Sequence, residues 1–411
     1  MSAAKTGDQT GDQTGDKIGA AQARIADTKT ARKAAARAQD NLALIASSPT
    51  RSPCLWPQCY HRRTAPASVR QYAFVGTDVE GRQGKGNAMA GKKITRDDLR
   101  AAAEKYKNWG KWGPDDEIGT LNYTSPEDIV AAAQLVKKGK VISLALNFDN
   151  NGPQGGKTNY PVLGRINPLH TMLRTGTDAY SGVLDKRGIR AADDMVVMPL
   201  QCGTQWDGLG HVFYEDNMWN GYDCREVSSF GAAKCGIEKT KSKMVGRGVF
   251  LDVARALGKD YLEDGYGITC EDLDLTAKQQ KVTLKRGDYV VVRTGQMERC
   301  LKAGSWDGYP GGDAPGFAFE TLEFVAKTEL AALASDTWGC EVRPNNTEGG
   351  INQPWHWITI PIMGMTMGEI FYLKDLAEDC AADGAYEFMF VAPAIPITGA
   401  VGSPTNPLAI K

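Results

Sequence analysis

Asp207 and His211 stand four residues apart in QCGTQWDGLGHVF (201–213), with Gln201 and Gln205 just upstream and glycines at 203, 208 and 210. A carboxylate offers hard oxygen to a metal ion, and a nearby imidazole can ligate the metal or move a proton. The glycines let the backbone turn tightly and approach a ligand. Gln201 and Gln205 are neutral amides, able to orient a carbonyl or a water by hydrogen bonds. Alone, the Asp–His spacing fits a loop carboxylate beside a satisfied histidine equally well. His356 and Glu369 lie thirteen residues apart in WHWITIPIMGMTMGEIFYLKDL (355–376). By itself that pair reads as a core histidine between two tryptophans and an acid opening a helical turn. The chain has only four histidines, His61, His170, His211 and His356, so imidazole chemistry has few candidates.

Several elements must position these residues. DMVVMPLQC (194–202) reads as a strand feeding directly into the Gln201–His211 stretch, which places the motif just past a strand end. KVISLALNF, GRGVFLDVA, DYVVVRTG and YEFMFVAPAIPI are further strand candidates, each bounded by Gly, Asp or Pro. TRDDLRAAAEKYKNW and SPEDIVAAAQLVKKGK (125–140) carry helix N-caps at Thr95 and Ser125, with Pro126 and acids following Ser125. FAFETLEFVAKTELAALA (317–334) reads as one long helix or two short ones. Residues 150–193 read as a long Gly/Asn/Pro-rich connection of the kind that forms lids or binding loops. The mixture predicts an α/β layered fold rich in sheet.

The 411 residues contain 48 basic and 49 acidic side chains, a formal net charge of −1 that gives no reason to expect nucleic acid or an anionic membrane as partner. No run of eighteen apolar residues exists to span a bilayer. Nine cysteines without a CxxC pair, and no secretory segment, predict a reducing, cytoplasmic setting. Residues 1–90, opened by the repeat TGDQTGDQTGDK (6–17), are expected to form a disordered low-complexity extension, with Met89 as an alternative start. The folded domain is expected over 91–411.

Taken together, Gln201–His211, GDYVVVRTG (287–295), LAALASDTWGCE (330–341) and the His356/Glu369 pair resemble the "cyclase" family of metal-dependent hydrolases, whose members include kynurenine formamidases and isatin hydrolases. The family pattern is H-x-G-T-H-x-D-x-P-x-H, followed downstream by a His and a Glu flanking an apolar stretch. The resemblance spans about residues 139–396 and implies an α/β swivelling β/β/α (kynurenine formamidase-like) fold, assembled as a homodimer or homotetramer. It implies Asp207, His356 and Glu369 as ligands of a divalent metal, zinc or manganese, and His211 as proton shuttle. Gln201 and Gln205 stand where the family has histidines, and Leu209 where it has proline; the two amides would then orient substrate or water. Zinc-dependent trans-dienelactone hydrolase is similar to this family and also uses glutamines near its metal, which adds lactones to the expected small-molecule substrates. The expected activity is hydrolysis of a cyclic ester, a cyclic amide or an aryl formamide. Two rival readings are a metal-free hydrolase using Cys202 with His211, and a binding protein that kept the fold without catalysis. His170 could line the pocket or be an ordinary loop histidine.

Overall fold

A computed structural model describes residues 93–155 and 162–411. The expected extension over 1–90, with His61, lies outside the described residues. The frame is a nine-stranded mixed sheet. Its strands in chain order are β1 (Val141–Ser143), β2 (Gln205–Asp207), β3 (Val245–Asp252), β4 (Tyr289–Arg293), β5 (Ala332–Ser335), β6 (Thr366–Glu369), β7 (Glu387–Val391), β8 (Gly402–Pro404) and β9 (Leu408–Ile410). Across the sheet they run β1-β9-β7-β3-β4-β5-β6-β2-β8. β3 to β6 are parallel, and the flanking pairs are antiparallel.

The sequence explains this order. β4 is the run YVVVR, buried at every position, as a parallel strand covered on both faces should be. Its successive side chains serve opposite faces: Val290 and Val292 join one core with Val249, Leu251, Met367 and Trp355, while Val291 joins the other with Phe250, Trp206, Phe388 and Phe390. The main helices are α1 (Arg96–Tyr106), α2 (Pro126–Ala133), α3 (Cys270–Gln280), α4 (Gln296–Ala303), α5 (Leu322–Thr328), α6 (Pro354–Thr359) and α7 (Lys374–Asp383). Thr95 and Ser125 cap α1 and α2 in complete capping boxes, as their sequences predict.

Three local expectations are corrected. The 317–334 helical reading stops at α5: Glu329 turns the chain with a left-handed φ of 49°, and Ala332–Ser335 become β5. Placement between β4 and β6 overrides the helical preference of an Ala/Leu-rich run. The 150–193 connection is not all loop; Leu169–Arg174 pairs antiparallel with Asp193–Val197 in a two-stranded hairpin outside the main sheet. Finally, Gln205–Asp207 do not lie in a loop past a strand end. They are themselves a strand of the main sheet, buried throughout. No helix among the described residues is long and apolar enough to cross a membrane.

Candidate functional site

β2 is held between β6 and β8, and period-2 alternation sends Gln205 and Asp207 to one face and Trp206 to the other. Trp206 anchors the strand: its indole packs edge-on against Phe371 and Phe390, and Nε1 donates to the Ala392 carbonyl at 2.8 Å. In the β2–β6 register Glu369 lies directly opposite Gln205. Two residues far apart in sequence therefore become same-face neighbours. Gln205 Nε2 donates to Glu369 Oε2 at 2.9 Å and to Asp207 Oδ1 at 3.1 Å. Its Oε1 is buried without a partner. On the other flank Gly402 faces Asp207, and a side chain there would run into Gln201 Nε2 at 2.5 Å, so Gln201 occupies the space that glycine leaves.

His356 comes from α6. Glu341 accepts the Trp355 and His356 backbone N–H groups at 2.9 and 3.3 Å, meeting donors that a helix start leaves unpaired. The same carboxylate bonds His356 Nδ1 at 2.8 Å, and Asn345 Nδ2 donates to it at 3.1 Å. With Nδ1 engaged, His356 turns Nε2 toward Glu369 Oε1, 3.4 Å away. His211 reaches the centre from beyond β2, its Nε2 3.7 Å from Asp207 Oδ2, and is the more exposed member. The structure thus gathers Asp207, His356, Glu369, Gln205 and His211, with Gln201 at the flank. His170 stays out, exposed on the hairpin with Nε2 2.8 Å from Asp194.

Electrostatics mark the centre as short of positive charge. Asp207, Glu341, Glu369 and His356 are all buried, three acids around one imidazole. Burial and the neighbouring Asp207 charge push the Glu369 carboxyl above its ordinary range. Burial alone would depress His356, but its bonds to Glu341 and Glu369 outweigh that and raise it. Burial lowers His211 despite the Asp207 charge beside it, favouring the neutral imidazole. Burial drives the Cys202 thiol up to about 11.

Among the described residues no group of three or more His, Cys, Asp or Glu side chains is spaced to hold a metal ion, and the Gln205 amide nitrogen bonds both Asp207 and Glu369. In kind, the donors fit one. Two carboxylates and an imidazole offer oxygen and nitrogen, and backing of the imidazole by a carboxylate is usual for metal-bound histidine. The buried surplus of negative charge calls for a cation or a proton. A cavity of about 280 Å³ bounded by Arg255, Tyr261, Arg293 and Arg299 contains none of these residues, and acids already pair its arginines.

Sequence reasoning missed Glu341, although it ends the quoted stretch LAALASDTWGCE; nothing local shows that it will meet a histidine fifteen residues on. Arg165, buried near the centre, gave no signal either.

Comparison with known proteins agrees with this architecture. Residues 123–342 match the Cyclase family, described as "putative cyclase". The crystal structure of a novel cyclase is 40% identical, with a TM-score of 0.67, covering 74% of this chain and 100% of its own. The chain belongs to the cyclase family, and its fold is the kynurenine formamidase-like α/β fold that the motifs imply. His356 and Glu369 fall beyond the matched segment. Isatin hydrolase A from Labrenzia aggregata, bound to benzyl benzoate, is 15% identical with a TM-score of 0.46, covering 70% of this chain and 98% of its own. Isatin hydrolase A from Ralstonia solanacearum is also 15% identical, at 0.48, with the same coverage. Likeness at that level is too loose to define a site. No curated protein matches the chain significantly.

Proposed function

We propose that this protein is a metal-dependent hydrolase that cleaves a cyclic ester, a cyclic amide or an aryl formamide. One observation carries the reading: Asp207, His356 and Glu369, read from distant parts of the sequence, converge in a buried centre with surplus negative charge. These three would hold a divalent metal, zinc or manganese, which when bound lowers the pKa of water and polarises a carbonyl. The chain's own residues do the rest. Glu341 fixes the His356 ring so that Nε2 faces the centre. Gln205 holds Asp207 and Glu369 through one nitrogen and leaves Oε1 free to accept from a water or a substrate N–H. His211, on the more exposed side beside Asp207, is placed to take a proton from the attacking water and pass it to the leaving oxygen or nitrogen.

The thiol alternative is disfavoured, because Cys202 is fully buried and its raised pKa leaves little thiolate near neutral pH. The test is turnover of lactones, cyclic imides and N-formyl arylamines by wild type and His211→Ala, with and without chelator. Chelator should abolish turnover, and His211→Ala should lower kcat by ~10²–10⁴ without loss of metal. Activity unaffected by chelator would favour the thiol route, and a metal-free protein inactive on the whole panel would favour a binding protein.

The hairpin and its neighbours expose Leu163, Leu169, Leu173, Tyr180, Val196 and Val197. Such a hairpin is at best marginally stable in water by itself. A second copy of this chain is the occupant proposed.

A further inference from the structure

We propose that Arg165 is the anchor for a carboxylate group of the ligand bound at the Asp207/His356/Glu369 centre. Arg165 is only 8% exposed, its Nη1 is buried without a hydrogen-bond partner, and it makes no ion pair among the described residues. Its guanidinium lies 4.9 Å from the ring centroid of Trp338. A cation–π contact of this kind offsets only part of the cost of burying an unpaired charge. An anion that completes the site would remove the remainder.

The position of Arg165 follows from its platform. Trp338 Nε1 donates to Gln154 Oε1 at 3.3 Å, and Gln154 Nε2 donates to the Cys202 carbonyl at 2.9 Å, beside Gln201. The residue after Trp338 is Gly339, where an added Cβ would lie 3.9 Å from Glu369 Oε1. The platform therefore links to the Gln201–Cys202 backbone on one side and adjoins Glu369 through Gly339 on the other.

The chemistry of the anion follows from shape and charge. A guanidinium carries its N–H donors in one plane, a fork that matches a planar carboxylate. One cation balances one negative charge; a phosphate dianion would bring excess charge beside Asp207 and Glu369. The carboxylate could be carried by the substrate or released by hydrolysis of an ester or amide. This inference rests on the proposed hydrolase only for that distinction, since carboxylate binding can be measured without turnover.

The experiment is calorimetric titration of wild type and Arg165→Met with benzoate, and with benzamide as the neutral isostere, alongside melting of both proteins without ligand. Wild type should bind one benzoate per chain, and Arg165→Met should bind it about tenfold or more weakly, with benzamide unaffected. Unliganded Arg165→Met should melt at or above wild type, because it loses an unpaired buried charge. No binding of millimolar benzoate by wild type, equal binding by both proteins, or a variant that melts well below wild type would each overturn the proposal. With a lactone that is turned over, preference for its carboxylated form over the methyl ester, lost in the variant, identifies the substrate's own carboxylate. Product inhibition lost in the variant identifies the released one. Absence of turnover with every compound counts against the hydrolase reading and leaves the titration to decide on Arg165.

Discussion

At the scale of single residues, Glu341 shows how much of the centre depends on groups that do no chemistry themselves. Its carboxylate receives two backbone N–H groups, the His356 ring and the Asn345 amide. Glu341→Ala would leave those donors unpaired in the interior, and breaking a buried pair in this way costs about 3–5 kcal/mol. Denaturant unfolding should show a loss of that size. A change under about 0.5 kcal/mol, the usual range for surface substitutions, would mean that Glu341 does not hold α6. Asp207, His211, His356 and Glu369 were legible because their types and order match a family pattern. Glu341 and Arg165 were not, because each acts through contacts that only the fold creates.

At the scale of elements, β1, β3, β4 and β7 of the nine-stranded sheet and the capped helices could be read from periodicity and turn residues. β2 could not: three residues among glycines carry too little pattern, and only the neighbouring β6 and β8 make Gln205–Asp207 a strand. β5 carries a helical pattern for the same reason, since its burial comes from its neighbours. The docking of β9 on α7 offers a test of pH dependence. The Lys411 ammonium is almost fully buried and meets Asp379 and Asp383 of α7, each at 2.9 Å. Burial works to raise both carboxyls, but bonds from Lys411 and neighbouring donors prevail and hold both below their usual range. Folded values below the unfolded ones mean that the contribution is complete above about pH 4 and is lost as pH falls through the depressed values. Lys411→Met should therefore cost about 1.5–3 kcal/mol near neutrality, the range for hydrogen bonds to charged groups, and the gap to wild type should close in acid. A gap that is constant or widens below pH 4 would contradict this origin.

At the scale of the whole molecule, the exposed apolar hairpin predicts self-association. Light scattering after size exclusion should give at least a dimer, and Leu169→Glu with Val197→Glu should shift it toward monomer. A wild-type monomer at micromolar concentration would remove the proposed partner. Gln201 and Gln205 stand where the family pattern has histidines, and Asp207, His356 and Glu369 are the donors proposed for a single metal. The most direct measurement is divalent-metal content per chain, by elemental analysis of wild type, His356→Ala with Glu369→Ala, and Gln205→Ala. One metal per chain is expected in wild type, lost from the double variant and kept in Gln205→Ala. Two tightly held metals in wild type, or a metal retained without His356 and Glu369, would contradict it.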